Sequence, residues 1–575
     1  MGKRIKQKRD IFLLITIIFL LNCGSSEGPD NQTPDNEVPV AVGIPGSLNS
    51  RPGRNRIELS WTANIDSNIN SYKIFWNNLK DSISGNIPIT DQPGTIRVML
   101  SDLDEGLYQF YVYHYDKNGN PSKAVSSLGH VYGATYNESL VQRKIISLKR
   151  DNSDVVIQWE NDEQNRSSLL IEYIHDSGNN RMHTSTPGSS IDRISNVRLD
   201  SEMKYKTGYM PAENSLDTFY TDYQSVLLDK KEMFTHPGVI NDKPILDGIS
   251  ASALGAERLT AYSELETYIS DNHIWDNYRS IVIVNGAGSV SPSSQEFKRG
   301  ALLAYAYALR WARTGNDADA QKAIKILNGW SSNFEKIEPA DNSAIDLTWQ
   351  PQLVSAWITP TFAAAAEILK TYRLQGDVDS GWYFSDIERF NVFLNKLIGY
   401  IDLMIEDIDQ QGRRYNNWGA SAGYTKMAAG VFLDDKSMYD DGLRVVKMLI
   451  PEVIKSTGQV YELCERDCGH PQYSMNAFTY AAEIARIQSD LSVYEANSNR
   501  ILTGFEWMLQ AFTGQVNCRD CTGKYVHSSL EVALSFYKNS ASPALRQFAA
   551  DLRPFALYSP ELFLGFTTLT HYKQQ

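Results

Sequence analysis

The sequence has 575 residues, of which 42% are hydrophobic and 21% are charged, and its formal net charge is -13. At about 150 residues per domain, this length predicts three or four domains. The acidic balance argues against nucleic acid as a partner, although a local group of arginines can still attract an anionic sugar.

The first 22 residues have the pattern of an export signal. Basic residues precede an apolar run at 11–21, which is shorter than the roughly 20 residues that a helix needs to span a bilayer. Apolar and small residues lead directly to Cys23 and resemble a lipobox, so we expect a lipid anchor at Cys23; cleavage of an ordinary signal peptide nearby is the alternative. The predicted location is the outer membrane, facing the periplasm or the cell surface.

The next segment, 23–38, contains almost nothing that could be buried and is predicted to be a flexible tether.

Residues 39–132 show short stretches with a period of two, at 56–61, 72–76 and 106–113, separated by turn-rich segments. This pattern predicts an antiparallel β-sandwich. The plan repeats over 133–235, where Trp159 lies 98 residues after Trp61, so we expect a tandem pair of immunoglobulin-like sandwiches.

The first sandwich, including its ending Val-Tyr-Gly at 131–133, resembles a fibronectin type III-like module of bacterial lipoproteins. Such modules bind carbohydrate or act as spacers. Their aromatic residues are predicted mainly to pack in the core, with a sugar-binding platform as the less favoured interpretation.

The apolar period of two ends after 235, and from about 255 the chain is predicted to be helical to its end. The expected fold class is therefore two N-terminal all-β sandwiches followed by an all-α (α/α) toroid over 236–575, because no fixed 34-residue repeat is present. Helices are expected at 296–314, 318–332, 353–374, 384–407, 420–433, 437–455, 471–488, 491–512, 528–539 and 543–551.

Four cysteines lie in two close pairs, Cys464 with Cys468 and Cys518 with Cys521. In an exported protein disulfides are the default; a zinc site of four thiolates and free thiols are the alternatives. Three disulfide pairings are open. Pairing between the two groups would fasten the segment before residue 470 to the loop around 523–524.

The segment 462–473 carries the most chemistry, because it places Arg466, His470 and Tyr473 close together, about fifty residues after Asn416 and Asn417. Elimination at a uronic acid requires three things: a neutralised C6 carboxylate, removal of the C5 proton and protonation of the departing C4 oxygen. Asn417 can hydrogen-bond the carboxylate, His470 and Tyr473 can move protons, and Arg466 can hold a phenolate or the substrate acid.

Each of these residues also has a structural interpretation. Arg466 can pair with a neighbouring carboxylate, His470 can cap a helix, Tyr473 can be core, and the two asparagines can satisfy backbone groups. Pro471 is predicted at the first position of a helix. A helix N-terminus and a cation such as Arg466 both favour a phenolate, and an adjacent cation lowers a tyrosine pKa by about one to three units.

Residues from about 236 resemble the alginate lyase superfamily of polysaccharide lyases. The resemblance rests on His-Pro-Gly at 236–238, the stretch 306–330, Asn416-Asn417, and the seven-residue spacing of Arg466 and Tyr473 with a histidine between them. It implies an incomplete α/α toroid in which Asn417 neutralises the substrate carboxylate. It also implies that Tyr473 is the catalytic acid and the base, and that Arg466 stabilises both groups.

One position departs from the family, because Trp418 replaces the histidine that follows the two asparagines. Tryptophan cannot take a proton, so either His470 is the base or Tyr473 performs both transfers. The substrate pocket must differ as well. Further residues predicted to bind substrate are Asn416, Trp418, Arg413, Arg414 and Glu465.

We therefore predict a polysaccharide lyase acting on a uronic-acid-containing, alginate-like polysaccharide, with that polysaccharide as partner. No cofactor is expected, because no glycine-rich phosphate loop follows a strand, and no metal is expected. A hydrolase that pairs Glu465 or Asp467 with Glu531 is one alternative. A non-catalytic glycan-binding lipoprotein is the other.

Overall fold

The computed structural model describes residues 42–63, 68–88, 94–151, 154–162, 167–186, 188–198, 201–228, 233–250, 253–272, 278–285, 291–341, 346–515, 518–557 and 563–573. The predicted signal at 1–22, the lipidation site Cys23 and the tether at 23–38 lie outside the described residues. Two compact units divide the chain, Met1–Tyr132 and Gly133–Gln575.

The first unit contains a two-sheet sandwich. One sheet has the strand order β1-β2-β5 and the other β4-β3-β6-β7, with antiparallel neighbours throughout. Its strands are β1 (Asn49–Gly53), β2 (Arg56–Thr62), β3 (Ile69–Trp76), β4 (Asp81–Asn86), β5 (Thr95–Ser101), β6 (Gly106–Asp116) and β7 (Val125–Val131).

Alternate side chains from both sheets fill the core of this sandwich, as the period of two predicts. Trp61 and Leu59 of β2 meet Phe110 and Val112 of β6 there. The indole of Trp61 donates a 3.0 Å hydrogen bond to Nε2 of the buried His114. Burial of the large indole is therefore compatible with full hydrogen bonding of its N–H.

The second sandwich repeats this design at the start of the second unit. Its sheets have the orders β12-β9-β8 and β11-β10-β13-β14, and β15 also pairs with β13. The elements are α1 (Ala134–Glu138), β8 (Ile145–Asp151), β9 (Asp154–Trp159), β10 (Ser167–Ile174), β11 (Asn180–Thr184), β12 (Ile191–Ile194), β13 (Glu202–Tyr209), β14 (Phe219–Tyr220) and β15 (Gln224–Leu227).

Trp159 takes the place that Trp61 has in the first sandwich, fully buried with its indole N–H donating to Asp192 at 2.8 Å. The predicted fold class, β-sandwiches followed by a helical toroid, is confirmed.

Helices make up most of the remaining chain. They are α2 (Lys243–Ser250), α3 (Ala256–Asp271), α4 (Pro292–Thr314), α5 (Asp317–Asn333), α6 (Gln350–Thr371), α7 (Phe384–Gln411), α8 (Asn417–Leu433), α9 (Lys436–Val453), α10 (Tyr461–Glu465), α11 (His470–Ile487), α12 (Ala496–Phe512), α13 (Ser529–Tyr537), α14 (Pro543–Leu552) and α15 (Thr567–His571). Among the described residues, no helix is long and apolar enough to cross a membrane.

Inner and outer helices alternate in this region. The inner helices α4, α6, α8 and α11 contact one another in succession, and each is followed by an outer helix. Nearly every residue of α8 is buried. Gly442 of α9 lets the two backbones approach closely, since a Cβ there would lie 2.5 Å from the carbonyl oxygen of Gly423. This layered arrangement places the N-termini of α8 and α11 side by side.

Two details differ from the predicted helical region. The β-branched run at 281–284 forms strand β16 (Ile281–Val284), which pairs in parallel with β17 (Lys336–Pro339), so the region is not helical throughout. The predicted helix at 491–512 also contains three residues with positive φ, 497–499, and begins later as α12.

The second sandwich contacts the helical region within the same compact unit. Lys144 pairs with Asp386 of α7 at 3.1 Å, and the amide of Ile145 donates to Oγ of Ser385 at 3.2 Å. This sandwich is therefore attached to an outer helix through both charged and backbone groups.

Candidate active site

The N-terminus of α8 carries the asparagine pair. Asn416 is the N-cap residue, and its Oδ1 accepts a 3.0 Å hydrogen bond from the amide of Trp418. Asn417 is fully buried; its backbone N–H donates to Glu462 at 3.1 Å, and its Nδ2 lies 2.9 Å from each oxygen of that carboxylate. The amide donors of Asn417 are thus already engaged.

Glu462 connects the two motif segments. Glu462 is 3% exposed. Its carboxylate also lies 3.3 Å from Nη1 of Arg466 and 3.5 Å from Oγ of Ser474. A buried carboxylate requires this kind of compensation, since an unpaired one is costly to remove from water. Glu462 therefore holds the first turn of α8 against the segment that leads into α11.

Two disulfides fasten that segment to a later loop. Cys464 is bonded to Cys518, and Cys468 is bonded to Cys521. This is a pairing between the two groups, so the structure contains neither the zinc site of four thiolates nor the free thiols that the sequence left open. Within the described ranges, no three His, Cys, Asp or Glu side chains are placed to hold one metal ion.

Asp467 orients His470 at the start of α11. One oxygen of Asp467 accepts from the amides of Gly469 and His470 at 2.8 Å each, and the other lies 2.6 Å from Nδ1 of His470. Burial raises the pKa of Asp467, but its bonds to His470 and Gly469 outweigh this effect and hold the pKa below the ordinary value. The imidazole, with a side chain 20% exposed, keeps Nε2 on the side away from Asp467.

α11 begins at His470, so Pro471 occupies the second position of the helix rather than the predicted first position.

Tyr473 lies in the first turn of α11 among rings. The residue is 9% exposed, and the centroid of its ring is 5.4 Å from that of His470, 5.6 Å from that of Trp357 and 5.3 Å from that of His527. A Cβ on Gly469 would lie 4.0 Å from Oη of Tyr473 and 3.4 Å from Oδ1 of Asp467. The phenol and the Asp467–His470 pair therefore face one small space.

His527 is a neighbour of Tyr473 that the sequence analysis missed. Burial lowers its pKa to about 3, so this imidazole is neutral. Its Nδ1 lies 2.8 Å from Nδ2 of Asn476, and its backbone N–H donates to Oε1 of Gln472 at 2.8 Å. A histidine at 3% exposure beside the phenol contributes shape and polarity to the site rather than a charge.

The other predicted substrate-binding residues are divided. The guanidinium of Arg414 lies 4.3 Å from the ring centroid of Trp418 and 5.0 Å from that of Trp349, and its Nε lies 3.3 Å from Asp407. Arg414 and Trp418 thus pack against each other. By contrast, Arg413 has a side chain 62% exposed, and Glu465 is also exposed. These roles in substrate binding stay predictions.

The carboxylate proposed for a hydrolase, Glu531, is 2% exposed and paired elsewhere. Arg553 donates to both of its oxygens, at 2.8 and 3.0 Å, and Oγ1 of Thr568 donates to it at 2.9 Å. Glu531 is thus held in an internal ion pair.

Comparison with known proteins identifies two regions. Residues 268–517 match the family model described as alginate lyase, and residues 34–219 match one described as a domain of unknown function. No curated protein matches the chain. The alginate lyase match includes Asn417, Arg466, His470 and Tyr473.

Three solved structures are similar to parts of this chain. Alginate lyase A1-III from Sphingomonas species A1 is 15% identical, with a TM-score of 0.45, and the match covers 60% of this chain and 98% of that one. An alginate lyase from Bacteroides ovatus is 12% identical, with a TM-score of 0.42, covering 59% and 100%. The FN1–FN3 domains of chicken CNTN1 are 11% identical, with a TM-score of 0.22, covering 33% and 68%.

Residues 268–517 of the helical region thus match the alginate lyase family model, and β-sandwiches precede them in the chain.

Proposed function

We propose that the helical region is a polysaccharide lyase that cleaves a uronic-acid-containing polysaccharide by β-elimination. The observation that carries this proposal is the convergence of Tyr473 and the Asp467–His470 pair at the N-terminus of α11, beside the Glu462 carboxylate that links Asn417 to Arg466. The alginate lyase family match over the same residues supports it.

In the proposed reaction, a base removes the proton from C5 of the uronic acid. The electron pair of that C–H bond forms the C4=C5 double bond, the C4–O bond breaks, and the leaving oxygen receives a proton. Because Asp467 binds Nδ1 of His470, Nε2 can accept the C5 proton, and the hydroxyl of Tyr473 can donate to the leaving oxygen. In the alternative, Tyr473 performs both transfers.

The substrate carboxylate requires a partner of opposite charge, because its neutralisation makes the C5 proton more acidic. We assign this role chiefly to Arg466, whose side chain is 46% exposed. The Nδ2 group of Asn417 is bound to Glu462, whereas its buried Oδ1 has no hydrogen-bond partner among the described residues. Because Asn417 is fully buried, it would position Glu462, and through Glu462 the side chain of Arg466.

The test is the absorbance of the unsaturated uronate product during incubation with alginate, glucuronan, pectins, glycosaminoglycans or ulvan. We expect absorbance to rise with one polymer and Tyr473→Phe to lower turnover by about 10²–10⁴-fold, the range for a lost general acid or base. Tyr461→Phe is the matched control, because Tyr461 is 45% exposed in the preceding helix.

New reducing ends without absorbance would establish hydrolysis instead. Binding without any product, unaffected by Tyr473→Phe, would establish a glycan-binding protein.

We also propose that the protein is exported and held in the outer membrane by a lipid on Cys23. Replacement Cys23→Ala is expected to move it from the membrane fraction to the soluble fraction. Retention of the variant in the membrane would overturn the anchor.

A further inference from the structure

The first sandwich has a face whose aromatic side chains do not belong to its core. In β6, the residues Phe110, Val112 and His114 point inward and are fully buried. Side chains alternate along a strand, so Tyr111, Tyr113 and Tyr115 must point to the opposite side of the sheet. All three are half-buried.

A fourth ring on β3 joins this row. Phe75 is paired in register with Tyr111, and Lys73 with Tyr113. The ring centroids of Phe75 and Tyr113 are 5.7 Å apart, and Nζ of Lys73 lies 4.8 Å from the centroid of Phe75. At about 3.4 Å per residue, the row from Tyr111 to Tyr115 extends over about 14 Å.

The remainder of the outward face is mostly polar and contains no carboxylate. Every outward position of β3, β4, β6 and β7 lies within the described residues. Besides the four rings, these positions carry serines, one asparagine, one glutamine, two leucines, one histidine and Lys73, and none carries aspartate or glutamate. Although the chain has a net charge of -13, these outward positions present no carboxylate to repel an anionic polymer.

Sugar rings present apolar C–H faces that pack on aromatic rings, while their hydroxyls and carboxylates require hydrogen-bonding and cationic partners. Aromatic side chains in a row, bordered by hydroxyl groups and one lysine, supply both. Core residues of a sandwich would show neither the exposure nor the polar border.

We propose that this outward face, defined by Phe75, Tyr111, Tyr113, Tyr115 and Lys73, is a non-catalytic binding site for an acidic polysaccharide. The choice of an acidic polymer rests on the proposed function as well as on the charge of the face. The site would raise the local concentration of substrate without taking part in the chemistry.

The experiment measures the retardation of the purified full-length protein in native gels that contain alginate, polygalacturonate, hyaluronan or neutral hydroxyethylcellulose. All proteins carry Tyr473→Phe, so that the polymer is not consumed. Adding Tyr111→Ala and Tyr113→Ala is expected to raise the Kd for the retarding polyuronate by about tenfold or more, as expected for lost aromatic anchors. Met99→Ala is the control, because Met99 is 41% exposed on β5 of the opposite sheet.

A second variant tests the charge without removing a ring. Lys73→Glu is expected to weaken binding of the polyuronate at low ionic strength and to have a smaller effect at high salt. Lys149→Glu, at an exposed position of β8, is its control.

An unchanged Kd in both the aromatic and the charge variants would overturn the site. So would preferential binding of the neutral glucan, or a lower molecular mass of the variants in solution with unaltered glycan binding, which would identify a self-association surface. Turnover of a short oligosaccharide by Tyr111→Ala/Tyr113→Ala in the otherwise unchanged protein should be normal. Binding and turnover are measured separately, so loss of the lyase proposal does not entail loss of this one.

Discussion

Two of the clusters of buried charge in the helical region serve different ends. In the first, called the His236 cluster, the imidazole of His236 lies 2.5 Å from Glu367 and 3.2 Å from Asp434, and its side chain is 7% exposed. In the second, called the Glu462 cluster, the carboxylate binds Asn417 and a half-exposed Arg466. The first cluster is largely buried, whereas the second reaches solvent through the guanidinium of Arg466. The second cluster is therefore the more accessible of the two to a substrate.

The difference is also visible in the protonation of the His236 cluster. Burial by itself lowers the pKa of His236, but the hydrogen bonds and charges of Asp434 and Glu367 outweigh it and raise the pKa to about 10. An imidazolium that stays charged across the neutral range does not act as a base there. We therefore assign a structural role to the His-Pro-Gly segment at 236–238, and the proposed proton transfers to the N-terminus of α11.

The largest expected effect on stability comes from breaking the His236 cluster. His236→Ala leaves Glu367 and Asp434 without their common cation and should lower the free energy of unfolding by about 3–5 kcal/mol. Thermal unfolding measures this loss. Activity per folded molecule should stay near that of the unsubstituted protein, and a selective loss of turnover would contradict the contrast between the clusters.

The pH dependence of stability sharpens the same contrast. Since the folded pKa of His236 is raised from 6.5 to about 10, its stabilising contribution is fully present below about pH 6.5 and is lost as the pH rises towards 10. The difference in unfolding free energy between the unsubstituted protein and His236→Gln should therefore shrink over this interval. A difference that grows with pH would contradict the assignment.

The disulfides should matter for the Glu462 cluster rather than for the His236 cluster. Removing one of two disulfides of this span by Cys468→Ser/Cys521→Ser is expected to cost about 2–5 kcal/mol. Turnover should fall in addition, because the disulfide of Cys468 holds the chain only two residues before His470. Mild reduction of the unsubstituted protein, followed by reoxidation, should lower and restore turnover. Full activity after reduction would show that the two disulfides do not position the site.

Glu462→Gln removes the negative charge from the Glu462 cluster while keeping the shape of the side chain. We expect a loss of about 1–3 kcal/mol in unfolding free energy, as for an impaired buried hydrogen-bond network. The drop in turnover should exceed this loss, because Asn417 and Arg466 lose a common anchor. Glu452→Gln, at an exposed position of α9, is the control. Equal effects on turnover in both variants would remove Glu462 from the site.

The smallest stability effect is expected for Asp467→Asn. The amide oxygen can still accept from the backbone of Gly469 and His470, so the cost should be about 1 kcal/mol or less. Turnover should nonetheless fall and its pH profile should shift, because the charged partner of Nδ1 of His470 is gone. An unchanged pH profile would favour Tyr473 as the agent of both proton transfers.

Much of the fold was predictable because it depends on local periodicity. The alternation around Trp61 and again around Trp159 predicted two sandwiches, and the apolar stripes predicted most helices of the toroid. The parallel pair β16 and β17 was missed, since its pairing joins strands more than fifty residues apart and each is only four residues long.

The candidate site was predictable in part. The residue types and spacing of Arg466, His470 and Tyr473 indicated their chemistry. Nothing local distinguished Glu462 from the exposed Glu465 three residues later, or His527 from a surface histidine.

The sequence by itself determined the order of the domains, the helical frame that carries Tyr473 and the presence of two cysteine pairs, because each of these depends on residues near one another in the chain. Only the tertiary structure decided how the cysteines pair, that Glu462 joins α8 to α11, and that Arg414 packs on Trp418. Those outcomes depend on which helix N-termini become neighbours. That depends on the packing of the whole inner layer of helices, where burial favours arrangements in which most polar groups have a partner.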